Sequence, residues 1–73
     1  MSDYTLETAN ELADLALAEQ DASGDEKIVP AIAEVLGASS QTLQEAFLTA
    51  VRVRRAETRA RELLAASAAK RST

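Results

Sequence analysis

The side chains of this chain that could take part in chemistry are carboxylates and guanidinium groups. Its 73 residues include 12 acids and 8 bases but neither a cysteine nor a histidine. The commonest general base and the soft metal ligands are therefore absent. Glu11 and Asp14 lie one helical turn apart, but on the face that the apolar pattern assigns to solvent. Because no phosphate-binding glycine loop or activated nucleophile accompanies them, we expect no enzymatic activity and no cofactor or metal.

The polar segment from Asp21 to Asp25 resembles the beginning of a calcium-binding loop. Such a loop needs glycine at its sixth position and a bidentate glutamate at its twelfth, where this chain has Glu26 and Ile32. The segment therefore predicts a turn between two helices rather than a metal site.

Charge is divided unevenly along the chain. Residues 1–48 carry ten acids and one lysine, a balance of −9, whereas residues 49–73 carry seven bases and two acids, a balance of +5. Such asymmetry can attract a nucleic acid or the opposite end of a second copy.

The arginine-rich run VRVRRAETRAR, residues 51–61, concentrates this positive charge. On a helical wheel its arginines cover more than half of the circumference, as expected for exposed charge around a packing seam. We expect some of them to pair with acids of the first helix, and Glu57 with Arg61 and Arg59 with Glu62 to form pairs one turn apart. A phosphate backbone is the alternative partner, and a membrane surface is disfavoured because no bulky apolar anchor accompanies the bases.

The elements that carry these residues are predicted to be helices. Apolar residues make up 47% of the chain, yet only 3% are aromatic, and alanine and leucine supply most of the rest. The periodicity predicts an all-α, small three-helix bundle with helices over residues 5–20, 26–36 and 40–69 and a flexible tail over 70–73. No apolar run is long enough to span a bilayer, and the first residues lack a signal-peptide pattern, so we expect a cytoplasmic protein.

Local signals set the predicted helix ends. Ser2 or Asp3 can cap the first helix. Pro30 is tolerated only in the first turn of the second, and Gly37 is expected to end that helix in a left-handed conformation. Ser39 or Ser40 can cap the third helix. The predicted core consists of Leu6, Leu12, Leu17, Ile28, Ile32, Val35, Leu36, Leu43 and Phe47.

The third helix is predicted to be about 45 Å long, more than the rest of the chain can cover. Its first half presents one apolar face and its second half another, turned by roughly 90°. Because a chain of this size buries too little apolar surface to be firmly stable alone, we expect a homodimer or higher oligomer. The expected interface is formed by Val53, Ala56, Ala60, Leu63 and Leu64.

The stretch IAEVLGASSQTLQEAF, residues 32–47, resembles the helix-turn-helix segment of AraC-type regulators. The similarity is carried by Ile32-Ala33, Leu36-Gly37, Ser39-Ser40 and Phe47. It implies that the third helix begins with residues facing base edges and phosphates, followed by arginines on the DNA backbone. The nucleic-acid contacts implied are Ser39, Ser40, Gln41, Thr42, Gln44, Arg52, Arg54 and Arg55.

The function that the sequence favours is non-enzymatic. We expect a small helical protein with a regulatory or accessory role that binds itself and another protein, with no membrane and no small-molecule substrate as partner. The alternative is a helix-turn-helix DNA-binding regulator, for which an acidic chain is unusual because phosphates attract a basic field.

Overall fold

The computed structural model describes residues 3–72, and within them the chain is an all-α three-helix bundle, as predicted. Helix α1 spans Asp3–Ser23, α2 spans Ile28–Ser39 and α3 spans Gln41–Ser72. Each helix extends beyond the predicted C-terminal end. The predicted tail is helical as far as Ser72, while Thr73 and the predicted cap Ser2 lie outside the described residues.

The turn between α1 and α2 is closed by a glycine. Gly24 has a φ of 73°, and its N–H donates to the Gln20 carbonyl oxygen at 2.8 Å. This left-handed conformation ends α1, since glycine adopts it without steric cost. The Asp25 carboxylate then accepts a hydrogen bond from the Lys27 N–H at 2.9 Å, which fixes the chain before α2 begins.

The second predicted helix stop, at Gly37, is wrong. Gly24 is the one residue with positive φ in the described part of the chain, and α2 continues through Gly37 to Ser39. Gly37 has an ordinary helical backbone, and its lack of a side chain matters because Gln44 occupies the space where a Cβ would lie. A Cβ on Gly37 would lie 2.7 Å from the side-chain Cδ of Gln44, whose Nε2 donates to the Ala33 carbonyl oxygen at 2.9 Å. Gln44 thus crosses the surface that Gly37 leaves open and joins α3 to α2.

A double-mutant comparison tests this account of Gly37. Gly37→Ala adds about 1 kcal/mol of helix propensity, but in the native chain it displaces Gln44 and loses a hydrogen bond of similar value. We therefore expect almost no change in urea midpoint for Gly37→Ala alone and a stabilisation of about 1 kcal/mol when it is made in a Gln44→Ala background. An equal gain in both backgrounds would show that Gln44 does not restrict the position.

Only Ser40 separates α2 from α3. Its backbone is extended, its N–H donates to the Leu36 carbonyl at 2.7 Å, and its Oγ accepts the Leu43 N–H at 3.1 Å. Of the two predicted caps for α3, Ser40 is therefore the one used. Pro30, the third residue of α2, lies in the first turn as expected.

Consecutive helices run in opposite directions, and α1 runs in the same direction as α3. Ala33 contacts Gln44, whereas Val29, earlier in α2, lines a groove with Arg52. Leu6 lines a groove with Ala46, and the later residue Gln20 of α1 accepts a hydrogen bond from Arg55. The molecule is elongated and flat, with extents of 53 × 28 × 13 Å.

The core consists mainly of alanine. Phe47 and Val51 are its largest fully buried side chains, and the others are small. Alanine at the contact surfaces lets the helix backbones approach closely, which moves the longer side chains to the edges. The buried residues are Ala9, Ala13, Ala16, Val29, Ala33, Ala46, Phe47, Ala50 and Val51.

The predicted core is therefore right only in part. Phe47 is buried, and six of the predicted aliphatic residues pack against the core from its edge while remaining half-buried. Leu6 and Val35 are wrong assignments, since they are 45% and 70% exposed. Leu6 lies at the edge of the buried face of α1, and Val35 lies about 160° around α2 from the buried Ala33, so it faces away from the core. The six half-buried residues are Leu12, Leu17, Ile28, Ile32, Leu36 and Leu43.

Candidate interaction surface on the third helix

The second half of α3 is not covered by the rest of the chain. Every residue from Arg55 to Ser72 is exposed, although all of them are helical. Leu63 and Leu64 are 72% and 69% exposed. This segment, which we call the uncovered half of α3, is about 27 Å long. Its first residues still lie beside the end of α1, where Arg55 donates to Gln20, and Thr58, Arg59 and Glu62 line a groove with residues of α1.

The total surface area supports the same description. The chain exposes 5484 Å², whereas a compact monomer of 7.8 kDa exposes about 4,400 Å² by the scaling of surface with mass. The excess is about 1,100 Å², somewhat more than the roughly 800 Å² that each partner contributes to a standard protein–protein interface.

The residues predicted as an interface lie together on one exposed face of α3. Val53 is 58% exposed, and Ala56 and Ala60 follow it at spacings of three and four residues. Leu63 and Leu64 complete the face. The two apolar faces of α3 are also distinct, because Phe47 and Val51 of the first face are buried in the bundle. The structure thus places the predicted interface on the surface as a continuous apolar stripe.

An apolar groove between α1 and α3 extends this stripe and was missed by the sequence reasoning. It has a volume of about 240 Å³ and is lined by Leu6, Ala9, Ala46 and Val53, with Glu45 and Arg54 among its polar residues. The helical pattern placed Leu6 in the core. Only the close approach of the helices, which the abundance of alanine could have suggested, puts Leu6 at the edge of an open groove.

Arg54 connects α1 to α3 next to this groove. Its Nε donates to Asp14 Oδ1 at 2.6 Å, and its Nη1 donates to the Ala50 carbonyl oxygen at 3.2 Å and to Asn10 Oδ1 at 3.4 Å. This confirms the expectation that an arginine of the third helix pairs with an acid of the first. The Glu57–Arg61 pair is also present, at 2.7 Å, but both side chains are largely exposed and such pairs contribute little.

The contact with Arg54 changes the acidity of Asp14. The hydrogen bond from Arg54 lowers the pKa of the Asp14 carboxyl; desolvation opposes this effect, and the positive charge of Arg54 adds a smaller lowering. A carboxyl whose folded pKa is depressed stabilises the fold above its unfolded pKa. That contribution is lost as the pH falls through the folded pKa.

Replacing Arg54 should therefore raise the pKa of Asp14. In an NMR titration that follows side-chain carboxyl carbons, we expect the Asp14 midpoint to move to higher pH in Arg54→Gln. Arg61→Gln is the matched control, since Arg61 pairs with Glu57 instead. An Asp14 midpoint that is identical in the native chain and in Arg54→Gln would contradict the pairing.

The residues implied as nucleic-acid contacts do not form one exposed set. Ser39, Gln41, Thr42 and Arg52 are exposed. Ser40, Gln44 and Arg54 each use their side chains inside the chain, as the α3 cap, the α2–α3 hydrogen bond and the α1 ion pair.

Arg55 is also exposed and hydrogen-bonds to Gln20, and Arg52 and Arg55 line a groove of about 520 Å³ with Glu26 and Glu34.

The Ser40 connection is shorter than the turn of about three to four residues in a helix-turn-helix.

Between residues 3 and 72, no three acidic side chains come together in a way that could hold a metal ion. In the same range, no helix combines the length and the apolar character needed to cross a bilayer.

The chain matches no protein-family model, and no curated protein or solved structure matches it either.

Proposed function

We propose that this chain is a small, non-enzymatic, cytoplasmic protein that acts by self-association and by binding another protein in a regulatory or accessory role. The observation that carries the proposal is the exposed apolar stripe of α3, which runs from Val53 to Leu64 along about three helical turns and extends into the uncovered half. Monomeric proteins seldom expose apolar side chains contiguously along such a length, and stripes of this kind are typical of interfaces.

A second copy of the chain is the favoured first partner of the stripe. An isolated helix of this length is marginally stable in water, so a partner would stabilise both the helix and the fold that holds it. The chain has no cysteine for a disulfide. The stripe offers small residues at its centre, Ala56 and Ala60, where a second helix can approach closely, and two leucines at its end.

The molecular mass in solution tests the proposal. By light scattering or sedimentation equilibrium at micromolar concentrations, we expect twice the chain mass of 7.8 kDa or a higher multiple. The mass should fall towards one chain on dilution. A mass of 7.8 kDa at every concentration, with α3 helical throughout, would refute self-association.

DNA binding through α3 is the second candidate function, and the exposure of Ser39, Gln41, Thr42 and Arg52 supports it. We rank it lower because Gln44 and Arg54 are engaged within the bundle. A mobility shift with random duplex at low salt distinguishes the two functions, since phosphate binding weakens steeply as salt is added. An Arg52→Gln/Arg55→Gln variant identifies loose binding by these two exposed arginines.

A further inference from the structure

The uncovered stripe and the groove between α1 and α3 lie on the same face of α3. Thr49 and Val53 line the groove, and Ala56, Ala60 and Leu63 continue from them at alternating spacings of three and four residues. Such spacing keeps residues in line along one side of a helix and allows a second helix to pack along the whole length. The groove therefore forms one end of a surface whose other end is the pair Leu63 and Leu64.

The two ends of this surface carry opposite charge. Glu45 and Arg54 line the groove, and the charge of Arg54 is paired with that of Asp14. Asp3 and Glu7 lie on α1 within one helical turn of Leu6. The uncovered half of α3 contains five bases and two acids, and Arg71 is in its last turn. The uncovered half of α3 is therefore basic, and the α1–α3 groove that could receive it in a second copy has acidic residues at its edge.

We infer that two copies form an antiparallel dimer in which the uncovered half of each α3 packs along the stripe of the other and ends in its partner's α1–α3 groove. This rests on the proposed self-association and adds to it the orientation and the receiving site. In a parallel pair the acidic first helices would lie side by side and the basic ends would meet, which is unfavourable for both. The antiparallel pair brings each basic end to an acidic groove.

Two conditions set the register of the antiparallel dimer: the end of one α3 must fill the partner's groove, and the leucines must be covered. Placing Leu64 of one copy opposite Val53 of the other puts the two-fold axis near residues 58–59. Arg71 then lies beside Ala46 and Glu45. In this register Leu64 of each copy lies against the smaller Val53 of the other, so a large side chain meets a smaller one.

The area available is sufficient for this arrangement. The excess surface of about 1,100 Å² per chain exceeds the roughly 800 Å² that each partner needs in a standard interface. A two-fold arrangement uses the same surface on both copies, so it closes at the dimer and leaves no stripe for further growth.

Cysteine cross-linking tests the orientation, and the chain is suited to it because it has no native cysteine. Disulfides form only when the two Cα atoms approach within about 7 Å. Val53 and Leu64 are exposed in the single chain, so both can be replaced without disturbing the core. We expect the double variant Val53→Cys/Leu64→Cys to form a covalent dimer on mild oxidation, while each single variant does not. An equimolar mixture of the two single variants should also cross-link.

The possible results distinguish the antiparallel arrangement from self-association itself. Efficient cross-linking of either single variant would show a parallel pair and overturn the inference, while self-association would stand. A double variant of dimeric mass without a cross-link would overturn the register and the receiving groove. A double variant of 7.8 kDa, together with a native chain of the same mass, would remove the proposed self-association as well.

A charge exchange provides a second, non-covalent test. We expect Arg71→Glu to raise the dimer dissociation constant about five-fold at low salt, because two symmetry-related pairs with Glu45 are lost. Glu45→Lys combined with Arg71→Glu should restore most of the affinity. A double variant that dissociates more readily than either single variant would contradict the contact.

Discussion

Replacing Ala60 with glutamate is expected to convert the assembly into single chains. In light scattering the mass should fall to 7.8 kDa at concentrations where the native chain has at least twice that mass. Ala60 lies at the centre of the stripe, where a partner helix must approach most closely. A glutamate there is too large for the contact and would bury a charge without a counter-ion, which costs several kcal/mol per copy.

The matched control is Ala65→Glu. Ala65 is also exposed on the uncovered half of α3, but it lies about 140° around the helix from Ala60. It introduces the same charge into the same segment on a different face, and the mass should stay that of the native assembly. If Ala60→Glu leaves the mass unchanged, or if both variants dissociate equally, the stripe is not the interface.

Replacing Phe47 with alanine is expected to unfold the bundle itself. Phe47 is 0% exposed and is the largest buried side chain of a core made mostly of alanine. Removing such a ring costs about 3–5 kcal/mol, while a chain of this length has a total stability on the order of 4–10 kcal/mol. Far-UV circular dichroism with increasing urea should show a strongly reduced midpoint or a chain that is already partly unfolded without denaturant.

Leu63→Ala provides the comparison for this result. It also shortens an apolar side chain, but at a position that is 72% exposed within one chain. Its effect should therefore appear in the mass and its concentration dependence, while helix content at high concentration is largely retained. Equal urea midpoints for Phe47→Ala and the native chain would mean that the core lies elsewhere.

The helices could be predicted from the sequence because their signals are local. Alanine-rich periodicity, the glycine at position 24, the proline at position 30 and the serine at position 40 each act within one helical turn. That the residues of the stripe share one side of α3 was also predictable, since residues spaced three and four apart must lie on one side of a helix whatever surrounds it. These features depend on geometry that every helix shares.

What could not be predicted depends on distances between helices. Gly37 has the same sequence context as a left-handed helix stop, and only the position of Gln44 on the next helix shows that it provides space instead. Leu6 and Val35 follow the pattern of the larger apolar residues, yet the buried faces are those of the alanines, so Leu6 lies at an edge and Val35 faces away from the core. The groove at Leu6 is formed by residues of both α1 and α3, so a wheel of one helix cannot show it.

The ion pairs show an intermediate case. The pair between Glu57 and Arg61 follows from spacing alone. That an arginine of α3 would meet an acid of α1 was predictable from the division of charge along the chain. Which arginine and which acid meet, Arg54 and Asp14, depends on the parallel alignment of the two helices.

Amide hydrogen exchange along α3, measured at two protein concentrations, tests the central claim most directly. If a second copy covers the uncovered half, protection of amides in residues 55–72 should increase markedly from low to high concentration, and by more than protection in residues 41–54, which the bundle already covers. Protection of residues 55–72 that is the same at every concentration, in a particle of one chain mass, would contradict the claim.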